Sequence, residues 1–171
     1  LDPNIYSTED AIHNLTTKIQ KALDANLICC VVFFDMSSAF NTASVNGMVN
    51  CLSEFGVERE ILKLGEFMLK NRIVTAEANG FKKSKRVNRG CPQGGIKSTY
   101  YWNGLKQNLK KRLREQRRPT HTNVYADDDV NISVANYIDI CIRQLQADMS
   151  IFEEWANDFG LSFNSDKTKV M

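Results

Sequence analysis

Leu27-Ile28-Cys29-Cys30-Val31-Val32-Phe33-Phe34 runs without a polar side chain and stops at Asp35. An apolar run this short, rich in Val and Phe, has the length of a strand and predicts one buried on both faces. Such a strand needs other layers of structure around it, and the Asp35 carboxylate emerges where it ends. At 171 residues the chain is long enough to bury about two-thirds of its unfolded surface around one core, so residues 1–171 are expected to form one domain.

The flanking sequence supplies those layers. Ser7-Thr8-Glu9-Asp10 puts hydroxyl and acidic groups at a helix start, before the stripe Ile12, Leu15, Ile19 and Leu23, and this helix is predicted to end near Ala25-Asn26. A second helix uses Val45, Met48, Val49, Leu52 and Phe55 with Gly56 as its stop, and a third uses Ile61, Leu64, Met68 and Leu69. Asn79-Gly80 between Ile73–Ala78 and Phe81–Val87 predicts a tight hairpin. Pro92 and the glycines of Gly90–Gly95 exclude regular helix, which is predicted from Ser98 to about Glu115. A second hairpin is expected from Asn123–Ala126 to Val130–Val134, with Asp127-Asp128 in its turn. The clearest helical period runs from Tyr137 to Phe159, ends at Gly160, and precedes a short strand at Leu161–Phe163. Helices mixed with hairpins imply an α+β fold, an antiparallel sheet backed by helices on one face.

Charge is divided along the chain. From Phe81 to Arg118 there are 13 Lys or Arg against the single acid Glu115, a net of +12, whereas the remainder carries −10. That asymmetry can set a cationic wall beside an acidic centre, as a phosphate backbone would require; a solvated face is the plainer alternative. No apolar run approaches the roughly 20 residues needed to span a bilayer, and no basic-then-apolar leader opens the chain. A soluble protein of the cytoplasm or nucleus, without a membrane partner, is expected. Cys29, Cys30, Cys51, Cys91 and Cys141 form no CxxC pair and are expected to be free thiols with no disulfide partner.

Asp35 and the Asp127-Asp128 pair lie 92 residues apart, and each site puts carboxylates at the end of a strand-like run. Adjacent acids repel, so gathering them calls for a cation. Oxygen donors suit Mg²⁺, with Mn²⁺ as the alternative, and two such ions about 4 Å apart could activate an attacking hydroxyl and steady a departing pyrophosphate. Asp35 and Asp127 are the candidate metal bridge and Asp128 the third carboxylate; a polar turn is the plainer reading of the acidic run. Asp129 is expected to be solvent-exposed or paired with a Lys or Arg. Phe40 is a candidate floor for a nucleotide sugar pocket, against simple core packing. Arg89-Gly90-Cys91-Pro92-Gln93-Gly94-Gly95 combines a rigid Pro92 with free glycines and can bring backbone amides near a base or phosphate, while Gln93 offers both a donor and an acceptor. Lys167 could contact triphosphate or protonate leaving pyrophosphate, although an exposed lysine is the commoner case.

In order and spacing these segments resemble the motifs of reverse transcriptases, specifically those of non-LTR retrotransposons, jockey-like or related. Phe33–Phe40 resembles the first catalytic motif, Tyr125-Ala126-Asp127-Asp128 the characteristic tetrad, and Arg89–Gly94 with Ser98 and Trp102-Asn103 the nucleotide and template pocket. Gly160–Asn164 with Lys167-Thr168 and Val170-Met171 resembles the motif that follows, Ser7–Ile12 is similar to the entry into the fingers, and Glu153–Ala156 also fits. The resemblance implies a reverse-transcriptase-like palm with partial fingers over residues 1–171 and no thumb. It implies synthesis of DNA from deoxynucleoside triphosphates on an RNA template and a DNA primer, with two Mg²⁺ ions. It carries metal binding onto Asp35, Asp127 and Asp128, a catalytic lysine onto Lys167, sugar discrimination onto Phe40, and pocket formation onto Gln93 and Gly94. Arg72 and Arg89 fit the layout as substrate-binding residues. Partners implied are the missing thumb and the rest of a polyprotein. Asn41 stands where the family usually has an acid, Gly95, Lys97 and Thr99 replace a commoner Ser, Leu and Pro, and Asn108 replaces a frequent Asp. The alternative is a catalytically inactive retroelement remnant or nucleic-acid-binding module.

Overall fold

In the computed structural model, which describes residues 8–117, 119–125 and 128–171, the apolar run is an inner strand, β1 (Ile28–Phe34). It pairs on one edge with β5 (Asp128–Ala135) and on the other with β6 (Lys169–Val170), while β4 (His121–Tyr125) pairs with the far edge of β5. All three pairings are antiparallel. A separate hairpin joins β2 (Arg72–Ala78) to β3 (Phe81–Val87). Its turn residues Asn79 and Gly80 have φ +52° and +77°, the left-handed pair a two-residue hairpin turn needs.

Six helices complete the described fold: α1 (Thr8–Asp24), α2 (Ala39–Thr42), α3 (Val45–Glu54), α4 (Arg59–Lys70), α5 (Ile96–Glu115) and α6 (Ile138–Phe159). Ser7 of the expected first cap lies outside the described residues. The Ser44 hydroxyl caps α3 by accepting from the Gly47 amide at 3.2 Å, and Gly160 at φ +67° closes α6. The strand expected at Leu161–Phe163 reduces to a single bridge, Met36 to Phe163, before pairing resumes in β6.

The main core lies between the sheet and α3, α5 and α6. Cys30, Val32 and Phe34 of β1 meet Leu105, Leu109, Phe152 and Trp155, with Phe34 stacked on Phe152 at 4.7 Å. Trp155 is fully buried and its indole N–H donates to the Leu105 carbonyl at 3.2 Å, so its one polar atom is satisfied. Burying each such ring contributes about 2–3 kcal/mol. Val31 and Ile132, paired across β1 and β5, are buried outside this cluster on the opposite side of the strands, where α1 meets β1 and β4. The fold is therefore α+β, an antiparallel sheet flanked by helices.

Candidate functional site

Asp35 follows directly on β1. The β1–β5 register ends with Phe34 opposite Asp129, and Asp35 and Asp128 are the next residues along the two strands. Two of the three positions singled out in the sequence thus lie at the same end of the sheet. Asp128 is the first residue of β5, opposite Tyr125, and not a turn residue as the sequence suggested; only its backbone is described. Asp127 lies outside the described residues. Among the described residues no group of three or more His, Cys, Asp or Glu is gathered in a metal-binding cluster.

The loop after α6 locks onto the end of β1. The Asn164 amide donates to the Asp35 carbonyl at 2.8 Å and the Ser37 amide to the Ser162 carbonyl at 2.9 Å, while Thr168 donates twice to the Asn164 carbonyl. The Asp35 side chain keeps about a third of its surface open (33%), and the Lys167 ammonium stands 3.7 Å from its Oδ2.

Phe40 sits in the short helix α2, entered through a left-handed Ser38 (φ +50°). Its ring packs on Trp102 at 5.3 Å and lines an open cleft of about 580 Å³ with Gly94, Gly95, Ser98, Tyr100 and Asn103. The segment from Arg89 to Gly95 is held against α2: the Gly90 amide donates to the Ala43 carbonyl and the Cys91 amide to the Phe40 carbonyl, both at 2.7 Å. Gly90 has φ +68°, and a methyl group there would collide with the Phe40 carbonyl and the Asn41 backbone. The Ser98 hydroxyl donates to the Pro92 carbonyl at 2.6 Å, fixing the start of α5. Cys91 is buried beneath the loop, and that burial pushes its thiol pKa up, which makes it a packing residue.

Gln93 is exposed at the tip of the loop. Arg72 is engaged with backbone: its guanidinium donates to the carbonyls of Leu69 (3.1 Å), Gly90 (2.8 Å) and Arg89, tying the loop to the end of α4. Arg89 itself lines a small polar cleft of about 290 Å³ with Ser44, Asn46, Lys70 and Asn88.

Beneath the carboxylates lies a feature that the sequence reading missed. Asp129, Asn131 and Ser133 alternate along β5, which in a half-exposed strand marks the wet face, yet all three are buried toward the helices. Each meets a partner there: Asp129 the Lys106 ammonium, Asn131 the Asp148 carboxylate (2.8 Å), Ser133 the Gln144 side chain. Lys106 also lies over the rings of Trp102 at 5.1 Å and Trp155 at 5.5 Å. Of the two expectations for Asp129, partnership with a lysine is what the structure has; solvent exposure is not, since the residue is 1% exposed. Lys106 correspondingly leaves the basic surface expected from Phe81 to Arg118. The signal was present as an isolated Lys amid Trp102, Leu105 and Leu109 on one helix, but its partner is 23 residues away.

The rest of that basic stretch is largely outside. On β3, Lys82, Lys83, Lys85 and Arg86 are all exposed, and so are Ile73 and Val74 on the paired strand and Phe81 at the turn. On α5, Arg112 pairs with Asp158 at 2.8 Å and Lys111 with Glu54 at 3.8 Å, so part of its charge is spent within the molecule.

The four-stranded antiparallel sheet with helices packed on it and a separate hairpin beside it is a palm-like arrangement. The fold agrees with solved structures. Over 98% of this chain it matches a Candida tropicalis telomerase truncated from its C-terminal domain, with TM-score 0.75 and 14% identity, using 35% of that chain. A Candida albicans telomerase in complex with a fragment of telomeric RNA matches over the same share, with TM-score 0.74 and 15% identity, using 32% of that chain. In sequence, the chain is 28% identical over 139 residues to a 115 kDa protein in the type-1 retrotransposable element R1DM of Drosophila melanogaster, covering 81% of this chain and 13% of that protein. The family model for reverse transcriptase (RNA-dependent DNA polymerase) matches residues 3–171, and the chain belongs to that family. It spans about an eighth of the retrotransposon protein's length and about a third of each telomerase chain.

Proposed function

We propose that this chain is the nucleic-acid-engaging palm segment of a non-LTR retroelement polymerase and that, on its own, it binds an RNA–DNA hybrid without turnover. The observation that carries this reading is the four exposed cations Lys82, Lys83, Lys85 and Arg86, spread over both faces of a hairpin that forms a two-stranded sheet separate from the main one. Cations so placed neutralise phosphates and release counterions without reading sequence. Kinship with a retrotransposable element of Drosophila and a fold shared with an RNA-bound telomerase support the partner class. Replacing the four cations with Gln is expected to weaken hybrid binding tenfold or more at about 150 mM salt, read by fluorescence anisotropy. Unchanged affinity would remove the proposal.

A second reading, favoured by β1 and β5 presenting Asp35 and Asp128 at the same end of the sheet, is nucleotidyl transfer when the remaining parts of a polymerase are supplied. The donor set is all oxygen and Asp35 is partly open to solvent, which fits a hard divalent ion. Asp35, Asp128 and Asp127 would hold Mg²⁺, which when bound lowers the pKa of an attacking hydroxyl and offsets charge on the leaving pyrophosphate. The chain's own residues would orient the nucleotide: Phe40 closes the sugar side of the cleft, Gly94 admits close backbone approach, and Lys167 supplies a proton donor. Primer extension on RNA by the completed enzyme should fall about a hundredfold or more with Asp35→Asn, the scale of losing one preorganised charge at a reacting centre. Equal extension would exclude Asp35 from this role.

A further inference from the structure

We propose that Lys167 is a displaceable latch on Asp35: its ammonium pairs with the carboxylate, and a divalent cation must move it aside to bind. The inference rests on the reading of Asp35 as a metal ligand. It starts from the placement of the loop that carries the lysine. That loop is fixed on both sides of Lys167, by the Asn164 amide on the Asp35 carbonyl at 2.8 Å and by β6 paired with Val32 and Phe33. Between these anchors the Asp166 amide donates to Asn164 Oδ1 at 3.2 Å and the Thr168 hydroxyl to the Asn164 carbonyl at 2.9 Å, which makes a tight turn. The backbone of residue 167 is therefore held over the end of β1, and the ammonium lies 3.7 Å from Asp35 Oδ2.

The side chain is otherwise free to swing. Lys167 is 68% exposed, and an exposed lysine exchanges rotamers at little cost. Its position sets a cation against the one carboxylate that closes β1, at the end of the sheet where β5 begins. A tethered ammonium competes with an incoming ion for that carboxylate. Because the pair is solvent-exposed, its competition is modest, and removing it should tighten ion binding about 2- to 5-fold.

The test uses the whole chain and Mn²⁺ alone, with free Mn²⁺ read by electron paramagnetic resonance in the absence of nucleotide and nucleic acid. Wild type is compared with Lys167→Gln, Lys169→Gln and Asp35→Asn. Lys169→Gln makes the same charge change nearby, but its amine donates to the Asp166 carbonyl at 2.9 Å. The expected result is tighter binding in Lys167→Gln than in both wild type and Lys169→Gln, with saturable binding lost in Asp35→Asn. Equal affinities in the two lysine variants, with loss in Asp35→Asn, would overturn the latch and leave the metal reading standing. Binding in Asp35→Asn that equals wild type, or no saturable binding in any variant, would overturn the metal reading and the latch with it.

Discussion

At Gly90 the backbone takes φ +68° and passes so close to α2 that a side chain would meet the Phe40 carbonyl. Gly90→Ala is expected to cost about 2 kcal/mol or more in urea unfolding, since left-handed strain and a backbone collision add. Gly94→Ala, at φ +81° with open space around it, should cost less because only the strain applies. Equal costs would mean that the docking of the loop on α2 is not what Gly90 serves. The sequence showed that Gly90–Gly95 is irregular, because Pro and Gly act locally. It did not show what Gly90 touches, since Phe40 and Ala43 lie nearly fifty residues earlier and no local signal encodes that approach. Arg72 is a similar case: the resemblance implied a substrate-binding residue, and no local signal shows that its fork donates to three backbone carbonyls.

Elements with strong local signals are where the sequence placed them. β1 stands out because eight apolar residues end in an acid, α6 because its stripe keeps one period for over twenty residues, and the β2–β3 hairpin because Asn-Gly suits a two-residue turn. β5 is different. Its Val130, Ile132 and Val134 suggest one inner face, yet Asp129, Asn131 and Ser133 are the residues that meet α5 and α6, and their burial depends on partners that only tertiary packing supplies. This arrangement makes a sharp prediction. Lys106→Met alone should destabilise the chain by about 3–5 kcal/mol, because it removes the ammonium paired with a buried carboxylate, whereas Lys106→Met combined with Asp129→Leu should be near neutral or stabilising. Chemical denaturation of the two single variants and the double variant closes the cycle. Additive losses would show that the pair is not coupled.

Across the whole molecule, the charge division visible in the sequence survives folding only in part. One lysine of the basic stretch is withdrawn into the core, two α5 cations are paired with acids, and the β3 cations remain exposed. Among the described residues no helix is long and apolar enough to cross a membrane. The gathering of acids distant in sequence is a property of the strand register, which two short runs do not specify by themselves, because slipping by one residue exchanges the faces of β5. Backbone nuclear Overhauser contacts across β1 and β5 measure that register directly. The expected pattern joins Cys30 to Ser133, Val32 to Asn131 and Phe34 to Asp129, and continues to Asp35 and Asp128. Contacts displaced by one residue along β5, or none between Asp35 and Asp128, would contradict the site described above.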